Sequence, residues 1–275
     1  MREKMFPRWG AALFALLPLS EILYCPVDQQ TGYAAILASL ITALICSGAA
    51  LLPPTVRKLN FMSWLLAICA LWPLIQSLSR MTAFVRQTAF PERSLWGLAF
   101  ALTLSAILIA RIGLIRCAMW SLPVFVTAGF LIALSGALTI SDLHISYLQA
   151  PMWSLGVQCG RFLRVILPCA LVISLSLPEQ MPGAAARGMA IGGALLSLIS
   201  LRTALLLGSH TAALLAYPNF VAAGLASVGD FARHGEVFFA LPLLLCDLGR
   251  AAALGCVVLQ PVRKIASKKA VKRHA

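Results

Sequence analysis

The residues with most chemistry to offer are ionisable groups set inside long apolar runs, because a charge at the centre of a bilayer costs about 2.5–3.5 kcal/mol on insertion scales. Glu21 lies in PLSEILYCP, beside Pro18 and Ser20, which loosen or hydrogen-bond the backbone. It has two readings: a ligand contact, or a carboxylate that snorkels to water at the outer interface. Arg161 and Arg164 lie in VQCGRFLRVILPC, bracketed by Gly160 and Pro168, where a continuous helix is not expected. A charge on a broken helix belongs in a protein-lined cavity, and pairing with carbonyls or lipid phosphate is the alternative. Asp247 and Arg250 are three residues apart, a spacing at which a helix brings them together as an ion pair of structural value. Arg202 is expected to reach the outer headgroups.

Other chemistries find little support. The histidines at 144, 210, 234 and 274 form no HExxH, and neither a GxSxG elbow nor a phosphate loop occurs, so neither an enzyme nor a cofactor is expected. The cysteines at 25, 46, 69, 117, 159, 169, 246 and 256 make no CxxC and mostly fall in apolar runs. They read as small packing residues rather than metal or redox ligands.

These groups need a membrane to sit in. Of the 275 residues 60% are hydrophobic and 11% charged, and the mean hydropathy is +0.90. So few charges cannot cover a water-soluble globule. A helix needs about 20 apolar residues to cross a bilayer. Eight runs approach that length: Arg8 to Tyr24, Tyr33 to Leu52, Met62 to Ser79, Leu95 to Arg111, Cys117 to Thr139, Met152 to Leu177, Gly183 to Gly208 and Glu236 to Leu259. Without period-two alternation they predict helices, hence an all-α integral membrane protein of about eight transmembrane helices. Residues 1–260 form the polytopic membrane domain and 261–275 a basic cytoplasmic tail.

Lys and Arg placement gives the orientation. Arg2, Lys4, Arg8, Arg57, Lys58, Arg111, Arg116, Arg187 and the six basic residues from Arg263 to Arg273 fall on one side of an eight-span chain, and the connections Cys25 to Gly32 and Ile140 to Ala150 hold no Lys or Arg. Both ends are therefore expected in the cytoplasm. The stretch Arg80 to Arg93, with three arginines on the outer side, breaks the pattern. The net charge of +13 fits anionic lipid headgroups, and nucleic acid is not expected as a partner. Between Ser209 and Gly235 the run is interrupted by Tyr217-Pro218 and closed by Gly229-Asp230. It reads as an outer interfacial hairpin of two short helices, with a ninth span as the alternative.

Four patches resemble the GerAB-type spore germination proteins, the polytopic B subunits of germinant receptors in the amino acid, polyamine and organocation transporter superfamily. They are TAFPERSLWGL, ARIGLIRCAMWSLPVFV, ALTISDLHISYLQAP and LLLGSHTAALLAYPNFVAAGLASVGDFARHGEVFF. The last is the most specific: it is similar to the family's leucine-glycine exit from the seventh helix, its Tyr-Pro turn, its Gly-Asp-Phe step and the acidic residue opening the eighth. The resemblance implies a LeuT-like bundle of two inverted repeats whose first and sixth helices unwind around a midplane ligand site. This chain would be a truncated one, without counterparts of the ninth and tenth helices. Carried over, the breaks fall near Pro18, Ser20 and Glu21 and near Cys159, Gly160 and Arg161, facing one another. Half-helix N-termini would suit an amino-acid carboxylate, and Glu21 or free carbonyls an ammonium group. The function implied is a spore inner-membrane subunit that senses a small nutrient, an amino acid by this resemblance, and signals to A- and C-type partner subunits. An amino-acid permease and a structural membrane subunit without ligand are the alternatives.

Overall fold

A computed structural model of the chain describes residues 7–25, 27, 30–50, 60–147, 155–177, 182–225 and 235–274. These hold helices and turns and no strand. In chain order the helices are α1 (Pro7–Leu19), α2 (Thr31–Ala50), α3 (Asn60–Thr88), α4 (Leu95–Ile112), α5 (Leu114–Leu138), α6 (Leu155–Ser176), α7 (Pro182–Leu207), α8 (Ser209–Leu214), α9 (Pro218–Gly224) and α10 (Gly235–His274), with two 3₁₀ turns after α5.

Seven of them, α2 to α7 and α10, are long and apolar enough to cross a membrane. Their outer faces expose Trp64, Trp72, Trp96, Phe100, Trp120 and Phe130. Aromatic surface on that scale is an aggregation hazard in water and the expected surface in lipid. The first of the eight expected spans is the exception, so the count of eight is corrected to seven. Its run, Arg8 to Tyr24, yields 13 helical residues, about 20 Å at 1.5 Å per residue, against about 30 Å of hydrocarbon.

Pro18 explains that short length. It cannot donate to the carbonyl one turn back, and α1 ends one residue later. The chain then tightens into bonds of the i to i+3 kind: Glu21 N donates to Pro18 O at 3.0 Å, Ile22 N to Leu19 O at 3.1 Å and Tyr24 N to Glu21 O at 3.1 Å. The Ser20 hydroxyl donates to Leu17 O at 2.8 Å. Residues 20–24 thus leave the α-helix where Pro18, Ser20 and Glu21 placed the break.

The short helix α1 is the centre of the core. Every residue of α1 from Ala12 to Leu19 is buried, and α5, α6, α7 and α10 all pack on it. Small residues allow the closest approach, a device that suits helices in lipid, where burial of apolar surface supplies no drive between them. A Cβ on Gly188 of α7 would lie 2.8 Å from Phe14 Cβ, and one on Gly192 3.0 Å from Ala15 Cα. Both approaches are too tight for any other residue. On the far side of α7 a Cβ on Gly193 would meet Ser39 of α2 at 2.5 Å.

Helix ends follow local chemistry. Ser94 caps α4, its hydroxyl accepting from Gly97 N at 3.2 Å. Gly113, at φ +103°, ends α4 and starts α5 in one residue, a conformation that favours glycine. Pro218 stands in the first turn of α9, where a missing amide costs nothing. Among the described residues between α7 and α10 there are thus two short helices, α8 and α9, and no further span. Of the expected turn residues, Gly229 and Asp230 lie outside the described residues.

Two expectations are corrected. The sixth run is not broken: α6 is one helix from Leu155 to Ser176 through Cys159, Gly160, Arg161 and Pro168. An interior glycine costs a helix about 1 kcal/mol and a proline about 3 kcal/mol, less than the tertiary packing of a long helix supplies. The outer connection does not begin at Arg80, since α3 continues to Thr88 and takes Arg80 and Arg86 into the helix. The last run is longer as a helix than as a span, since α10 continues through Pro261 and the basic stretch to His274.

Candidate functional site

The turn after α1 carries Glu21 and Tyr24 into a network of charges with α3 and α10. Glu21 is bonded through Oε1 to Arg250 and through Oε2 to Arg80 Nη1 at 2.7 Å. Arg250 Nη2 is 2.8 Å from Asp247 Oδ1, one turn back on α10. Asp247 also accepts from the Ser77 hydroxyl at 2.5 Å and the Tyr24 hydroxyl at 2.9 Å. Two carboxylates thus face two guanidiniums and the set is neutral, the condition under which buried charges are tolerated.

Burial ranks the members. The side chains of Asp247, Arg250 and Glu21 are 0%, 2% and 6% exposed, whereas that of Arg80 is 29% exposed. Arg250 is therefore the inner bridge to α10, and Arg80 is the more exposed of the two arginines, lining the cavity beside Glu21. Glu21 is thus buried, with both carboxylate oxygens held by arginines inside the bundle.

Aromatic packing fixes the turn. Arg80 lies over the Tyr24 ring, 5.8 Å from its centroid, and Phe84, one turn further along α3, meets Tyr24 edge-on at 6.2 Å. The other contacts of Phe84 are Tyr217 at 4.9 Å and Phe220 at 5.5 Å, both edge-on. Asn219 of α9 donates from Nδ2 to Ile22 O at 2.5 Å, so α9 holds the carbonyl that the unwound turn frees.

Beside this network is a cavity of about 250 Å³, lined by Glu21, Tyr24, Cys25, Gln76, Arg80, Gln158, Arg161, Phe162, Arg164 and Val165. Gln158, Arg161, Phe162 and Val165 stand at the i, i+3, i+4, i+7 spacing of one face of α6. Arg161 Nη1 donates to Gln158 Oε1 at 3.5 Å. Among the described residues neither Arg161 nor Arg164 pairs with a carboxylate. With Glu21 already satisfied by Arg80 and Arg250, the cavity wall carries an excess of positive charge. Such a wall suits a small anion or the carboxylate end of a zwitterion.

Of the residues singled out from sequence, Glu21, Arg161 and Arg164 line this cavity together. Pro18 and Ser20 are buried behind the turn, and their part is to end α1. Cys159 and Gly160 belong to α6 but not to the cavity lining. Asp247 and Arg250 lie behind Glu21. Tyr217 and Pro218 support Phe84 and open α9, away from the cavity. Sequence reasoning missed Tyr24, Ser77 and Arg80. A signal for Arg80 existed, since it was one of the arginines that offended the positive-inside pattern.

Arg202 is also corrected. Instead of reaching headgroups it is 8% exposed, with Nε donating to Thr139 Oγ1 at 2.8 Å and Nη2 to Ala222 O at 3.4 Å. Its Nη1 has no hydrogen-bond partner among the described residues.

A bundle of long apolar helices with lipid-type outer faces and a charged interior network defines a polytopic, all-α integral membrane protein. No protein-family model matches the chain, and no curated protein matches it either.

Proposed function

We propose that this protein is a GerAB-type receptor subunit of a spore inner membrane that senses a small amino-acid nutrient and signals to A- and C-type partner subunits. The observation that carries this reading is the cavity between the turn after α1 and the Arg161–Arg164 face of α6. Its volume of about 250 Å³ lies below the roughly 300–1,000 Å³ of pockets for drug-sized ligands. The ligand carboxylate goes to Arg161 and Arg164, and the ammonium group to the Glu21 side. The four sequence patches similar to the family add the functional class.

A sensor must also convert occupancy into a change elsewhere, which requires different affinity for two states. The network supplies the coupling. Glu21 is shared by Arg80 at the cavity wall and Arg250 in the interior, so a ligand that draws on Glu21 or Arg80 alters what holds α10 to α1.

The test is binding of radiolabelled amino acids to the purified full chain, with germination of spores carrying the same variants. Arg161→Gln with Arg164→Gln should lower affinity about tenfold or more and slow germination, charge-assisted bonds being worth about 1.5–3 kcal/mol each. Unchanged binding and germination in that double variant would sink the reading. Net uptake into proteoliposomes would instead assign a permease.

A further inference from the structure

At the end of the bundle where α1 and α7 begin, two arginines from distant parts of the chain share one hollow. The two helices run side by side in the same direction: Gly188 of α7 packs against Ala11 and Phe14, and Gly192, one turn on, against Ala15 and Pro18. That register sets Arg8, the second residue of α1, level with the first turn of α7. On the near side of the Gly188 contact the two first turns leave a cavity of about 500 Å³, lined by Pro7, Arg8, Ala11, Ala184 and Arg187. Its charges are two exposed guanidiniums, and no carboxylate is among the lining residues. Two cations around one hollow repel each other unless an anion stands between them, and the planar forks of arginine match phosphate oxygens.

Depth in the membrane points to the source of that anion. The apolar span of α7, Gly183–Leu207, has 25 residues. At 1.5 Å per residue it is about 37 Å long, more than the roughly 30 Å of hydrocarbon, so its first turn stands among the lipid headgroups. From Arg187 the exposed face of α7 continues through Ile191, Ala194 and Leu198. These are the i, i+4, i+7 and i+11 positions of one stripe. Ile191 and Leu198 are 48% and 58% exposed. From Arg187 to Leu198 the stripe runs about 16 Å, roughly half of the hydrocarbon and thus the depth of one leaflet. A phosphate held in the cavity therefore has an apolar track for an acyl chain beside it, which free phosphate would leave unused.

We propose that this cavity binds an anionic phospholipid, with the phosphodiester between Arg8 and Arg187 and one acyl chain along Ile191, Ala194 and Leu198. The positive dipole ends of α1 and α7 lie on the same side and add to the attraction. The bound lipid bridges the first turns of the two helices. It thereby ties to α7 the buried helix whose other end leads into the turn that carries Glu21.

The test is native mass spectrometry of the full chain in detergent, titrated with phosphatidylglycerol or phosphatidylcholine, with inorganic phosphate as competitor. One phosphatidylglycerol should bind about tenfold more tightly than phosphatidylcholine, and Arg8→Gln with Arg187→Gln should abolish that preference. Arg111→Gln with Arg116→Gln removes the same charge from residues that do not line the cavity and should leave the preference intact. Millimolar inorganic phosphate should displace no lipid. Equal loss in the two double variants would reduce the binding to general surface charge, and displacement by phosphate would make this a free-anion site; either result overturns the proposal. The wild-type titration decides the matter even where a variant fails to fold: no preference for phosphatidylglycerol over phosphatidylcholine overturns it as well.

Discussion

Arg250 and Glu21, 229 residues apart in the chain, are bonded in the interior of the bundle, and the same guanidinium holds Asp247 through its other terminal nitrogen. One cation thus satisfies two carboxylates. Removing it leaves both buried beside each other, and breaking a buried pair costs about 3–5 kcal/mol. Arg250→Met should therefore lower the yield of folded protein and its melting midpoint in detergent. Glu21→Gln combined with Asp247→Asn in the Arg250→Met background should restore much of the loss. A triple variant as unstable as the single one would show that the cost lies in packing rather than charge.

Arg80 makes the other bond to Glu21 but is partly open to the cavity. Screening by water reduces an exposed pair to about 0–1 kcal/mol. Double-mutant cycles read from melting should give a coupling between Glu21 and Arg80 of at most about 1 kcal/mol, and several times more between Glu21 and Arg250. Equal couplings would contradict the ranking by burial. Arg80→Gln is the variant expected to disturb ligand affinity while leaving stability near wild type.

Much of this was legible because lipid constrains sequence strongly. Runs of Leu, Ala and Ile mark the helices, and Pro18 marks the end of α1, since a missing amide acts locally. The pairing of Asp247 with Arg250 is a matter of helical spacing. The partner of Glu21 was not legible: nothing in PLSEILYCP indicates that Arg80 and Arg250 converge on it, because side-chain facing across helices depends on tertiary packing. Pro168 shows the reverse error. Proline weakens a helix locally, but packing on both sides of α6 outweighs the lost bond.

Arg202 offers a contrast to Arg250. It is buried with bonds to Thr139 and Ala222 but no carboxylate among the described residues, and Nη1 is unsatisfied. An uncompensated charge costs free energy that an apolar side chain of similar volume avoids. Arg202→Met should melt within about 2 °C of wild type or above it, a shift corresponding to less than about 1 kcal/mol for a chain of this size. A loss as large as that of Arg250→Met would mean that an anion occupies the site in the membrane.

Gly188 and Gly160 separate two uses of glycine. A Cβ at Gly188 runs into Phe14 and the Ala11 backbone, whereas one at Gly160 meets nothing within 4 Å. Gly188→Ala forces α7 away from the buried α1, and overpacking of this kind costs about 1–3 kcal/mol. Gly160→Ala adds a good helix former to a continuous helix and should raise stability by up to about 1 kcal/mol. Thermal melting of the two variants measures both. Gly160 also stands one residue before Arg161, so the same variant tests whether α6 must unwind there during signalling. With α6 working as one helix, Gly160→Ala keeps ligand affinity and germination at wild-type levels. A gain in stability accompanied by lost signalling would instead show that the active state breaks the helix at Gly160, with Arg161 released from the face it shares with Gln158.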